Sequence, residues 1–190
     1  THGHEMGDRA LQTFADVADV QGWMTEAQAQ RLWDRASELT APARIVEIGS
    51  YQGRSAIVFG RAAAEGVEVV AIDPHAGNDR GPQQIVGAPD EGQADHEIFL
   101  ANLAAAGVAD RIRHVRQPSQ EAHSDVPGEI DVLYIDGAHR YGPASDDIAW
   151  TRLLPRSGGD RVSFALYSTR PLSSRPISRS ARKYSSGVVW

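Results

Sequence analysis

The sequence predicts an α/β fold: a doubly wound, mostly parallel sheet with helices on both faces. Three observations carry this. Short β-branched runs alternate with helical stretches at the spacing of βαβ units. A glycine-containing turn joins the first such run to the helix behind it. The 190 residues are 41% hydrophobic and 23% charged, the balance of one globular domain with a sizeable core.

The elements follow in order. Residues 9–20 place Leu11, Phe14, Ala15 and Ala18 at helical spacing. Thr25 with Gln28 three residues later forms a capping box, so a second helix is expected from Glu26 to Leu39, stopped by Ala41-Pro42. Arg44–Gly49 (RIVEIG) reads as the first strand and Ser55–Glu65 as its helix, closed near Gly66. Val67–Asp73 (VEVVAID) is the second strand. Pro74 to Asp90 is rich in Gly and Pro and reads as a long loop, a kind that is usually functional or disordered. A helix over Glu91–Ala106 ends at Gly107, and Arg111–Gln117 is the third strand. Ser119 is expected to cap a short helix. Ile130–Asp136 (IDVLYID) is a fourth strand with a near-continuous apolar run. Ala144–Leu154 is helical, and Arg161–Tyr167 is a fifth strand. The closing strands are expected to be incomplete, because Val188–Trp190 is too short to supply them. Right-handed crossovers put the ligand beyond the carboxyl ends of the strands, at the switch in strand order.

Composition excludes several classes. There is no cysteine, hence no disulfide framework, thiolate zinc site or thiol nucleophile. No run approaches the ~18 apolar residues of a membrane span. The opening THGHEMGDRA lacks an apolar stretch behind a basic patch, so no secretory signal is expected and a cytoplasmic setting is. Net charge is −6, and every acidic residue lies within 1–160. That acidic body argues against a nucleic-acid partner. Residues 161–190 hold five Arg, eight Ser, no acid and Lys183, the only lysine of the chain. This basic tail reads as a solvated end, foreign in composition, as a shifted reading frame would produce. The expected division is a domain over 1–160, including the N-terminal helices of 9–39, followed by a fifth strand and tail over 161–190.

The turn after the first strand reads Glu47-Ile-Gly49-Ser50-Tyr51-Gln52-Gly53-Arg54-Ser55. Gly49 permits a tight turn and Gly53 is expected to let a ligand approach the backbone. The helix behind offers free N–H groups and a positive dipole end. A dinucleotide turn requires G-x-G-x-x-G and a P-loop G-x-x-x-x-G-K-[ST]; this G-x-x-x-G is neither. S-adenosylmethionine (SAM) is the third cofactor that uses such a turn. Asp73, 26 residues after Glu47, ends the second strand, where an acid can accept both ribose hydroxyls. A turn serving structure alone does not require that acid. No G-x-S-x-G elbow is present, which removes the common hydrolase reading.

On the segments IVEIGSYQGRSA (45–56), VVAIDPH (69–75), FLANLAAAGV (99–108), HVRQPSQE (114–121) and IDVLYIDGAHRYGPASDDI (130–148), the chain resembles the class I SAM-dependent methyltransferases. Within them it is similar to the branch of macrolide-sugar O-methyltransferases and cephalosporin-hydroxylase-like proteins. The resemblance spans about Trp23 to Gly159 and implies a Rossmann-like domain. It implies that Gly49, Ser50, Gly53 and Ser55 surround the methionine end of SAM and that Asp73 holds the ribose. Ser119 and Gln120, with Gln117 nearby, would sit near the adenine, and Glu47 would fix the loop through backbone N–H groups.

The resemblance also implies a reaction: methyl transfer to a small-molecule hydroxyl, of a sugar or natural-product type. His139 stands three residues after Asp136, the offset of a general base in metal-dependent relatives. Asp136 would be a catalytic residue and a Mg²⁺ ligand, the metal lowering the pKa of the bound hydroxyl. Those relatives supply further ligands after strand five, and this chain carries no acid beyond Asp160. Asp146 and Asp147 are expected on a solvated helix face. The alternative reading is therefore a catalytically impaired SAM-binding protein or partner subunit, with a homo-oligomer open. Trp23 and Met24 are expected in a lid over the acceptor, and His75 in the pocket wall. His96, His114 and His123 are expected to be structural or solvated.

Overall fold

The computed structural model describes residues 2–77, 86–137, 146–154, 164–167 and 188–189. Chain order runs α1 (His2–Val17), α2 (Glu26–Ser37), β1 (Ala43–Ile48), α3 (Arg54–Ala62), β2 (Val67–Ile72), α4 (Pro89–Ala105), β3 (Ile112–Val115), β4 (Val132–Ile135), β5 (Phe164–Tyr167) and β6 (Val188–Val189). Single 3-10 turns stand at Ala122–Asp125 and Trp150–Leu153.

The six strands form one sheet in the order β3-β2-β1-β4-β5-β6. All five pairings are parallel. The chain winds outward from β1 to β3, returns to β4 on the other side of β1, and winds outward again. The order therefore reverses between β1 and β4, and a crevice opens at their carboxyl ends. The brief β6 pairs with β5, so Val188 and Val189 do extend the sheet that the sequence left incomplete.

Period-two alternation sends neighbouring strand residues to opposite faces. Ile45, Val69, Ala71, Val132 and Tyr134 join α1 to α4 in one apolar layer. Val46, Ile48, Val70, Ile72, Leu133 and Ile135 pack against Ala122, Val126 and Trp150 on the other. Burial on both sides explains why β4 reads as continuously apolar.

The helix starts follow local chemistry. The Thr25 hydroxyl accepts from the Gln28 N–H while the Gln28 side chain accepts from the Thr25 N–H, closing the capping box of α2. Pro89 opens α4, where its missing N–H costs nothing. The buried stripe of α1 is Ala10, Phe14 and Val17, one residue away from the expected one, and Leu11 is exposed. Phe14 meets Trp33 of α2 edge to face at 6.1 Å, so the partner helix selects the stripe.

Candidate functional site

A cleft of about 330 Å³ lies beyond the carboxyl ends of β1, β2 and β4. Gly49, Ser50, Ser55, Asp73, Ser119, Gln120 and Asp136 line it, so seven of the expected site residues meet there. Glu47, Gly53 and Gln117 are not in its wall. His139 lies outside the described residues, as do Asp160 and positions 78–85 of the expected long loop.

Gly49 stands where the two halves of the sheet touch. Its φ is +89°, and a Cβ there would lie 2.6 Å from the carbonyl carbon and oxygen of Asp136 and from the Gly137 nitrogen. Its N–H donates to the Ile72 carbonyl at 2.8 Å, while the Asp136 N–H donates to the Ile48 carbonyl at 2.8 Å. The glycine is required by backbone approach, whatever binds beyond it.

Gly53 needs its freedom for a different reason from the expected one. It is the left-handed N-cap of α3, with φ +93°. A Cβ would meet Phe99 at 3.2 Å and Leu103 at 3.4 Å. The close neighbour is α4 rather than a ligand. The same helix holds the turn from behind: Gln52 donates to Asp95 at 3.0 Å, and Asn102 donates to the Gln52 carbonyl at 2.8 Å.

Asp73 follows β2 and turns its carboxylate to the cleft. One oxygen accepts the Tyr51 N–H at 2.8 Å, the other the His75 N–H at 2.8 Å. An ionised carboxylate offers about four acceptor positions, so two remain for hydroxyls. Tyr51 and His75 both adopt left-handed backbone, φ +46° and +47°. The His75 ring nitrogen Nε2 lies 2.7 Å from the Tyr51 carbonyl, which ties the two turns to each other.

His75 packs at 5.1–5.3 Å between ring centres against His96, Phe99 and His114, beneath the Asp73 turn. Burial holds the His114 imidazole down to about 4, with charge on His75 and His96 adding to the effect. Burial and the Arg116 guanidinium lower His96 as well. The His96 and His114 rings are packing groups whose neutral form burial favours.

Glu47 corrects its expected role. Its side chain is fully buried and accepts a hydrogen bond from the Ser55 hydroxyl, not from loop N–H groups. Its second oxygen has no partner among the described residues. Burial pushes the carboxyl up to about 8; the Ser55 bond opposes the rise, and the charges of Asp136 and then Asp73 add to it.

The β4 side gathers acid. Asp147 is 4% exposed rather than solvated: it lines the cleft and accepts the Ser119 hydroxyl. A Cβ on Gly137 would lie 2.6 Å from Asp147 Oδ2, so the acid lies against the end of β4. Ser119 thus caps no helix. Its hydroxyl serves Asp147, its carbonyl accepts from the Trp150 indole at 3.2 Å, and the following 3-10 turn has Glu121 as its cap. Asp146 is exposed, as expected. Among the described residues no group of three acidic or imidazole side chains could hold a metal ion, so the expected Mg²⁺ site at Asp136 finds no support there.

Sequence reasoning missed three cleft residues. Arg54, at the first position of α3, donates to the Gly22 carbonyl at 3.0 Å, and its buried Nε has no partner among the described residues. Asp95 and Asp147 also line the cleft. At the mouth, Trp23 packs on Tyr51 at 5.6 Å, beside Met24.

No curated protein matches the sequence. A family model described as a methyltransferase domain matches residues 46–159. The cofactor-bound Rv0187 from MTB is 24% identical with a TM-score of 0.52, over 80% of this chain and 62% of its own. The O-methyltransferase TomG from Streptomyces achromogenes, solved with SAM, is 21% identical with a TM-score of 0.51, over 80% and 61%. The O-methyltransferase from Bacillus cereus, in complex with SAH, is 18% identical with a TM-score of 0.51, over 80% and 62%. The chain thus spans about three fifths of the length of these structures. At such identities the likeness carries the fold.

Proposed function

The chain belongs to the methyltransferase domain family, and from that premise we propose that it uses SAM to methylate an oxygen of a small molecule, a sugar or natural-product hydroxyl. The observation that carries the reading is Asp73: a carboxylate preset by two backbone N–H groups, facing the cleft at the end of β2, with acceptor capacity left for a ribose.

When bound, SAM supplies a sulfonium-activated methyl group. Ser50, Ser55 and the Gly49 backbone face the methionine end, and Ser119 and Gln120 face the adenine end. Gly49 and Gly53 act through the turn, which they shape. Glu47 holds Ser55 in place. Asp136 stands at the strand-end junction beside Gly49, where it orients the acceptor. His139, three residues on in sequence, is the base that takes the hydroxyl proton. Alignment of acceptor, methyl and sulfur is a large contribution to such a displacement, and a rigid cleft serves it. The acidic body of the chain favours an acceptor other than nucleic acid.

Calorimetry with SAM and with S-adenosylhomocysteine tests the reading. Wild-type protein is expected to bind both in the micromolar range, and Asp73→Ala to weaken both by about 100-fold, the loss of two charge-assisted hydrogen bonds. Absence of heat with either ligand overturns it. Binding without S-adenosylhomocysteine formation across a panel of hydroxyl acceptors would instead favour a non-catalytic SAM-binding protein.

A further inference from the structure

His75 joins the two turns of the β1–β2 wall, and its two ring nitrogens have different surroundings. Nε2 lies 2.7 Å from the Tyr51 carbonyl, which only accepts, so Nε2 carries the proton of the neutral ring. Nδ1 is then a bare lone pair. It is buried with no hydrogen-bond partner among the described residues, and it lies 3.9 Å from Asp73 Oδ1. The His75 side chain is 1% exposed, while the Asp73 side chain is 16% exposed and lines the cleft. A lone pair beside an anion gains nothing; a proton between them turns the contact into an ion pair. Among the described residues the ring is packed against His96 of α4 at 5.2 Å, His114 of β3 at 5.1 Å and the uncharged Phe99 at 5.3 Å between centres. Burial lowers both neighbouring imidazoles, and a charge on His75 opposes a charge on either. Arg116 donates to His96 Nδ1 at 3.2 Å, and Glu97 counters part of its charge there.

We propose that His75 is a proton-sensitive positioning residue for Asp73: with Nδ1 protonated, the ring takes one of the acceptor positions that Asp73 otherwise holds open to the cleft. This rests on the SAM reading above, in which those positions receive the ribose hydroxyls. Asp73 already accepts two backbone N–H groups, so about two positions remain. Neutral His75 leaves both of them. The charged ring occupies one on Oδ1 and offsets the charge of the carboxylate, while Nε2 keeps its bond to the Tyr51 carbonyl and strengthens it. Acid therefore does not open this wall; it turns the carboxylate from the ligand to the ring. Affinity is full above the pH at which His75 titrates and falls as pH drops through it. The part-exposed carboxylate gives the proton its way in from the cleft. Linkage is reciprocal, so a bound nucleoside drives the proton off.

Calorimetry with S-adenosylhomocysteine at about pH 8 and about pH 5.5, a span over which an imidazole can change charge, tests this. Wild-type affinity should fall about tenfold on acidification, the loss of one charge-assisted hydrogen bond. His75→Gln keeps an N–H donor for the Tyr51 carbonyl and cannot titrate, so its affinities at the two pH values should agree within about threefold. Glu47, held up to about 8 by burial, titrates in both proteins and cancels from the comparison. NMR of the wild-type His75 ring gives a second reading that needs no variant. Saturating S-adenosylhomocysteine should move its titration midpoint down by about one pH unit, the reciprocal of the tenfold loss. Wild-type affinity equal at the two pH values, or a fall of the same size in His75→Gln, overturns the inference and leaves the SAM reading standing. A midpoint that the ligand does not move has the same force. Absence of heat at the higher pH overturns the SAM reading itself, and this inference with it.

Discussion

The two walls of the cleft are built on different principles. On the β1–β2 wall, a side-chain acceptor is met by main-chain donors: Asp73 by His75 two residues on and by Tyr51 across 22 residues, with α4 bracing the turn through Gln52 and Phe99. On the β4 wall, acids are gathered from segments distant in sequence. Asp147 reaches Ser119 across 28 residues and lies against Gly137. The first wall sets shape and the second sets charge. A site divided this way can hold one ligand by fit while polarising another beside it.

Gly49→Ala tests the division most severely, because it acts where the walls touch. The new Cβ would overlap three backbone atoms of the β4 end at 2.6 Å, in backbone with φ +89°. A loss of about 3 kcal/mol or more in folding stability is expected by denaturant titration. A variant as stable as wild type would mean that the walls are not rigidly opposed.

The next effect is a pH dependence on the shape wall. The Glu47 value of about 8 lies above the ordinary 4.5. The neutral carboxyl therefore contributes its stability in full below about 4.5 and loses it as pH rises through about 8. Between those limits wild type should lose stability relative to Glu47→Gln, by on the order of a few kcal/mol in all. Melting curves that run parallel across that range would show that Glu47 titrates as an ordinary carboxylate.

Ser119→Ala sharpens the other side. It removes the hydroxyl that Asp147 accepts in a buried setting, at a cost of about 1–3 kcal/mol. The change should leave the Asp73 turn intact, so S-adenosylhomocysteine affinity should fall far less than in Asp73→Ala. Equal losses would join the two walls into one cooperative unit.

The same division sets what the sequence reveals. Asp73 and the glycine turn are legible because Glu47, the turn and Asp73 lie within 27 residues, and each spacing reports a local geometry. The elements of the parallel sheet are legible for the same reason. Asp147 is not: a pair of aspartates at the start of a helix looks solvated until the fold places Ser119 and Gly137 against one of them. In the sequence Gly53 looks like room for a ligand, because the neighbour that requires it, Phe99, arrives from α4. The α1 stripe shifted by one residue because Trp33 chose the partner of Phe14. In each case the missing information was a contact between segments far apart in the chain.

Tyr51 and His75 are uncommon residues for left-handed backbone, yet three hydrogen bonds close them and Asp73 into a ring. Two turns linked so tightly move as one body. The entropy of arranging the Asp73 carboxylate is lost when the chain folds, before any ligand arrives. Recognition on that wall then resembles a key entering a finished lock, with whatever rearrangement the reaction needs left to the opposite side and the mouth.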